Sequence, residues 1–150
     1  MSSAAFDCID LLEQHLAGAS LDVDADHVYY GWPGDFLGEE NVVLSGTITA
    51  QDETQETKCV WLEKLSTTVY VSTAIGHESA REARDRAREL SDQVQAAINA
   101  TNRPPTTDEL YARIKSWRCG FRSLNAIPDQ RGEGWLAQVE LVVTFTTTTL

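Results

Sequence analysis

An acidic segment near the N-terminus comes nearest to the residue pattern of a metal site. Asp22, Asp24 and Asp26 alternate with Val and Ala, as ligands do at the start of a calcium-binding loop. Such a loop needs glycine at its sixth position and a bidentate glutamate at its twelfth, where this chain has His27 and Pro33. We therefore expect a solvated acidic loop here and no bound metal.

The other residue types that do chemistry in enzymes stand at the wrong spacing. His15, His27 and His77 form no HxxxH or HExxH pair, so we expect no zinc site. The segment around Ser20 lacks the second glycine of a nucleophile elbow, because Asp22 stands in its place. No glycine-rich loop of the phosphate-binding kind occurs either. The sequence thus predicts no catalytic residues, no cofactor and no enzymatic activity.

The cysteines and the apolar runs indicate where the protein resides. Cys8, Cys59 and Cys119 are an odd, widely spaced set with no CxxC pair, so we expect three free thiols in a reducing compartment. The N-terminus has neither the basic nor the apolar region of a secretory signal. The longest apolar run, residues 59–62, is far shorter than a membrane helix requires. We expect a protein made in the cytoplasm that does not associate with membranes.

Charge is divided unevenly along the chain. Residues 1–57 carry twelve acids and no Lys or Arg, whereas residues 58–150 carry eleven acids and twelve bases, for a net charge of −11. A chain this acidic is not expected to bind nucleic acid by neutralising phosphates. Two interpretations stay open: a solvated acidic surface, or an acidic flank that faces a basic partner or keeps a polyanion from sticking.

Hydrophobic periodicity predicts seven elements that would position these residues, in the order α-β-β-β-α-β-β. A helix is expected where apolar residues recur at helical spacing and Gly18 stops the pattern. The apolar positions of this first helix are Phe6, Ile9, Leu12 and Leu16. Strands are expected around residues 28–32, 42–48 and 67–75, with residues 50–57 as a polar loop too charged to bury.

The clearest predicted element is a long helix that begins after residue 78. Ser79 and Glu82 have the spacing of a capping box. Behind them runs one narrow apolar stripe, and the arginines and acids of the other faces suit ion pairs along the helix rather than a nucleic-acid patch. The stripe consists of Ala80, Ala83, Ala87, Leu90, Val94, Ala97 and Ile98.

A long C-terminal β-hairpin completes the pattern. Residues 117–127 look extended, residues 129–134 form a turn, and residues 138–147 alternate with Val139, Leu141, Val143 and Phe145 on one face. We expect the apolar stripe of the long helix to pack on this face. The sequence predicts one α+β domain over residues 1–150, with a mainly antiparallel sheet covered by the N-terminal helix and the long helix.

Two of the four tryptophans are candidates for an interface. Trp32 and Trp135 lie beside turns, where a large ring is seldom wholly buried. Each either covers the edge of the core or anchors a protein interface, where Trp is enriched.

The order of elements resembles the tail terminator proteins of long-tailed bacteriophages, over nearly the whole chain. The resemblance rests on the short N-terminal helix, the strand at residues 28–31 followed by an acidic loop, and the β-rich middle that ends at residue 75. It also includes the Arg/Glu/Ala-rich helix at residues 78–100 and the hairpin that closes in a β-branched tail at residues 142–150.

This resemblance implies a structural virion protein. Members of the family form a hexameric ring on the last ring of the tail tube, stop tail growth and present a surface to the neck. The implied partners are further copies of the chain, the tail tube protein and a neck or connector protein, at the neck junction of the virion. In such a ring, acidic residues lining the channel would let DNA pass without specific binding, and Asp22, Asp24 and Asp26 are the candidates for that position. The alternatives are a neck or tail-completion subunit of similar fold, and a small-ligand-binding α+β domain.

Overall fold

The computed structural model describes residues 4–23, 27–31, 40–57, 60–77, 79–100, 113–128 and 134–149. The elements in chain order are α1 (Ala5–Gly18), β1 (Val28–Tyr30), β2 (Glu40–Thr57), β3 (Val60–His77), α2 (Ala80–Asn99), β4 (Ile114–Pro128) and β5 (Trp135–Thr149). This is the predicted order of helices and strands.

All five strands form one sheet in the order β1-β2-β3-β5-β4. β1 runs parallel to β2, and the other three neighbouring pairs are antiparallel. The predicted α+β class with a mainly antiparallel sheet is confirmed. β4 and β5 pair as the predicted hairpin, although residues 129–133 of its turn lie outside the described residues.

The prediction of a loop at residues 50–57 is wrong. β2 continues to Thr57 and pairs with the beginning of β3, from Ala50 opposite Leu65 to Thr57 opposite Val60. Charge at these positions does not oppose strand pairing, because the ladder is formed by the backbone N–H and C=O groups. Register shifts within this stretch mark β-bulges, which are frequent at sheet edges.

α1 packs mainly as predicted, with one error. Its buried residues are Cys8, Ile9, Leu11, Leu12 and Leu16. Phe6, predicted to be on the apolar face, is 83% exposed. The buried face is centred on the i, i+4, i+8 series that begins at Cys8, which leaves Phe6 beyond its flank. The helix ends at Gly18, as predicted.

α2 confirms the predicted cap and the predicted packing. The backbone N–H of Glu82 donates to Ser79 Oγ over 3.1 Å, which satisfies one of the unpaired donors of the first turn. The buried residues of α2 are Ala83, Ala87, Leu90, Ser91, Val94 and Ile98. The apolar ones among them share one core cluster with the inward face of β5, where Leu141, Val143 and Phe145 are fully buried. Within the described stretches, neither helix has the length and apolar character that crossing a membrane would need.

A cluster of aromatic side chains joins both helices to the end of the sheet where β4 begins and β5 ends. Trp117 of β4 is 3% exposed, and its ring centroid lies 4.8 Å from that of His15 and 6.4 Å from that of Phe145. His15 Nε2 lies 2.7 Å from the carbonyl oxygen of Ala97. Because a carbonyl can only accept, this geometry assigns the proton to Nε2 and ties α1 to the last turn of α2.

Two of the cysteines confirm the prediction of free thiols. Cys8 and Cys119 are free and buried. Burial disfavours the thiolate and raises the pKa of each to about 12, so both behave as small apolar residues. Cys59 lies outside the described residues.

Candidate functional site

The acidic residues proposed to face a channel are represented by Asp22 alone, because Asp24 and Asp26 lie outside the described residues. Asp22 is held against α2 through Gln93. Its backbone N–H donates to Gln93 Oε1, and Gln93 Nε2 donates to Asp22 Oδ2, both over 2.8 Å. The Asp22 side chain nevertheless stays 60% exposed. Its position is therefore fixed, while most of its surface still faces solvent.

Arg86 of α2 joins elements that are distant in the sequence. Its Nε and Nη2 donate to the two carboxylate oxygens of Glu40, over 2.6 and 2.8 Å, in a fork-to-fork pair. Its Nη1 donates to Glu89 over 2.9 Å and lies 3.6 Å from Asp22 Oδ2. The pKa of Arg86 is raised, chiefly by the hydrogen bonds to Glu40. This cluster fixes the first residue of β2, the segment after α1 and the first half of α2 in one arrangement.

Helical spacing in the sequence predicts ion pairs within α2. It does not predict the contacts of Arg86 with residues outside the helix. Arg84 with Asp85, and Arg88 with Asp92, are exposed pairs within the helix. Glu40 precedes the partner arginine by 46 residues, so no helical spacing relates the two. The one signal in the sequence was a carboxylate two residues before a predicted strand.

We expect Glu40→Gln to lower the free energy of unfolding by about 1–3 kcal/mol, as loss of a hydrogen-bonded charge does. The side chains of Arg86 and Glu40 are only 27% and 18% exposed, so the effect should persist at high salt. The matched control is Asp85→Asn, whose pair with Arg84 is about half exposed on both sides and should contribute roughly 0–1 kcal/mol. Urea denaturation of both variants at low and high salt measures this, and equal losses would contradict it.

Trp135 lies at the edge of the core. It is partly buried and packs against the core cluster at the start of β5. This position agrees with an indole that covers the edge of the core. That Trp135 anchors a protein interface stays a prediction. Trp32, the other candidate, lies outside the described residues.

Edge strand β4 carries exposed apolar residues that the sequence did not identify. Phe121 is 62%, Leu124 38% and Ile127 43% exposed. The strand also contains three bases, Lys115, Arg118 and Arg122, and no acid. Only the strand order reveals these exposed residues, because it places β4 at the edge of the sheet.

A groove separates α2 from the second half of β4. Its volume is about 590 Å³, its floor is formed by Phe121, Leu124 and Val139, and Arg84 and Arg88 stand on its wall. A smaller cleft of about 200 Å³ lies between β3, β4 and β5, and the buried Ser72 Oγ that lines it has no hydrogen-bond partner. Among the described residues, no three His, Cys, Asp or Glu side chains are grouped to hold a metal ion.

Comparison with known proteins identifies the fold. No protein-family model matches the sequence. No curated protein matches it either. Solved structures that share the fold include a chain from the virion of a native gene transfer agent particle, with a TM-score of 0.64 and 16% sequence identity. The match covers 99% of this chain and 100% of that chain, so the two share their fold from end to end.

Proposed function

We propose that the chain is a structural subunit of a phage-like virion, and specifically a tail terminator. Its copies form a hexameric ring that caps the tail tube and joins it to the neck, after assembly in the host cytoplasm. The observation that carries the proposal is the end-to-end fold match with a chain of a virion particle, over 99% of this chain. The order of elements supports the same role through its resemblance to tail terminators.

The partners follow from the ring. They are neighbouring copies of the chain, the tail tube protein on one side, the neck or connector protein on the other, and the DNA that passes through the lumen. A net charge of −11 favours passage without specific binding, because like charges repel. The carboxylate of Asp22, largely exposed despite its contacts with α2, is suited to such a lumen-facing role.

We propose a structural role rather than an enzymatic one, and the separation of the perturbed titratable groups among the described residues supports it. In enzymes, groups with shifted pKa values cluster in one cleft. Here the pKa values of Cys8 and Cys119 are raised by burial in the core, and that of Arg86 is raised by Glu40 on the surface. The pKa of Tyr70 is raised by burial and by a hydrogen bond with Glu140 on the opposite face of the sheet. Each shift has a local structural cause.

A small-ligand-binding domain is the second candidate function. The groove between α2 and β4 favours it, because a partly apolar cleft between a helix and a sheet edge is a common place for a ligand. A neck or tail-completion subunit of the same fold would share the ring and differ in its neighbours.

The test is the mass of the purified protein in solution. Sedimentation velocity over a range of concentrations should reveal a species of six chains of 16.6 kDa each, and electron microscopy should show rings. A strict monomer at all concentrations would contradict the ring and favour the ligand-binding candidate.

A further inference from the structure

We propose that the edge formed by β4 in one copy docks on the edge formed by β1 and β2 in the next copy. This inference rests on the proposed ring and names its subunit interface. The two edges are the opposite ends of one five-stranded sheet, so a contact between them is head-to-tail. Head-to-tail contacts generate closed rings when the rotation between copies closes.

The charges of the two edges are opposite. β4 carries three bases and no acid. Two of the bases, Lys115 and Arg118, are exposed and lie in its first half. β2 carries three acids in its second half, Asp52, Glu53 and Glu56, and no base, whereas Glu40 at its beginning is held by Arg86. Within the described part of the chain, β1 pairs with β2 only at residues 42–44, so the acidic end of β2 forms this edge of the sheet by itself.

The strand registers place the opposite charges at the same height. Asp52 pairs with Lys64, Lys64 with Thr146, and Thr146 with Ser116. The acidic end of β2 and the basic beginning of β4 therefore lie on the same rung, at the two ends of the sheet. If neighbouring copies keep the same orientation, as they do in a ring, acidic and basic edges meet without any shift along the strands.

Two exposed aromatic residues, Tyr30 and Phe121, also lie in one row of paired residues across the sheet. Tyr30 pairs with Leu44, Leu44 with Val69, Val69 with Leu141, and Leu141 with Phe121. Tyr30 and Phe121 thus end one rung at opposite edges, and they are 52% and 62% exposed. Docking of the two edges would bring these rings together, beside the groove that Phe121 and Leu124 form with α2. Aromatic residues at the centre and charges on one flank are the usual composition of a specific interface.

The contact is made by side chains and not by continuous strand pairing. Asn99 at the end of α2 bonds the backbone of β4: Nδ2 donates to the carbonyl of Cys119 over 2.8 Å, and Cys119 N–H donates to Oδ1 over 2.9 Å. These backbone groups of β4 are therefore already satisfied within the chain. Such a block protects an edge strand from indiscriminate pairing and leaves recognition to charge and shape.

The experiment is a charge swap between the two edges. We expect Lys115→Glu with Arg118→Glu to weaken self-association by roughly tenfold or more, because like charges then face each other. We expect the same of Glu53→Lys with Glu56→Lys, and Asp52 is left unchanged because it lies opposite Lys64 in the strand register. Sedimentation velocity measures association, and circular dichroism melting verifies that each variant is folded.

Mixing the two variants distinguishes a lost interface from a damaged fold. Each variant alone repels itself, but in an equimolar mixture every junction again joins opposite charges, so rings of alternating copies should return. Phe121→Ser should weaken association as well, whereas the matched control Phe6→Ser, 83% exposed on α1, should not.

The outcomes separate the interface from the proposed function. If the unmodified chain forms rings and both charge variants form them equally well, this interface is wrong and the ring stands. Variants that fail to associate both alone and when mixed would also overturn the pairing of these edges. If the unmodified chain is a strict monomer, the ring and the interface fail together.

Discussion

Leu90→Ala is expected to lower the free energy of unfolding by about 2–5 kcal/mol, the range for truncating a buried leucine. Leu90 is 1% exposed and lies in the middle of the apolar stripe of α2, within the same core cluster as Leu141 and Val143 of β5. The cost has two sources: the lost transfer free energy of the removed carbons, and a cavity that a sheet of paired strands cannot readily collapse to fill.

Urea denaturation at a concentration where the chain is monomeric measures this loss, since association would add its own stabilisation. The matched control is Arg88→Ala on the same helix, where the side chain is 79% exposed and only reaches Asp92 at 4.0 Å. It should change stability by no more than about 0.5 kcal/mol. A loss below about 0.5 kcal/mol for Leu90→Ala would show that the α2 stripe contributes little to the core.

The core of this fold was predictable because periodicity reports burial directly. The alternation along β5 identified its inward face, and the stripe of α2 identified the helix face that covers it. The cap at Ser79 was equally readable, because it depends on two residues three apart in the sequence. These features depend on local spacing, which a single sequence contains in full.

The features that the sequence mispredicted or missed depend on which elements lie side by side in the fold. Local residue spacing carries no information on that. Residues 50–57 are mostly polar, yet β3 lies alongside and pairs with most of them. Phe6 has the spacing of a core residue but lies beyond the flank of the buried face. The fork between Arg86 and Glu40 and the exposed edge of β4 follow from strand order. Both arise from the topology rather than from any motif.

The same topology also separates residues of opposite charge. Acids lie on β2, next to one edge of the sheet, and bases lie on β4, the edge strand at the other end. Electrostatic complementarity of this kind contributes orientation and selectivity more than raw affinity. Such a device suits a subunit that must add to its own copies in one orientation.

Trp117→Ala is expected to lower the free energy of unfolding by about 3–5 kcal/mol, the range for removing a buried aromatic ring. The ring is 3% exposed and contacts both His15 of α1 and Phe145 of β5, so its loss opens a cavity where α1, α2 and the sheet meet. Trp117→Phe should lose less, because it keeps most of the apolar volume. The matched control is Phe121→Ala, an aromatic of the same strand that is 62% exposed and should change monomer stability by no more than about 0.5 kcal/mol. Urea denaturation of the monomer, followed by far-ultraviolet circular dichroism, gives all three values. A loss for Trp117→Ala as small as that for Phe121→Ala would mean that this ring cluster does not hold the helices to the sheet.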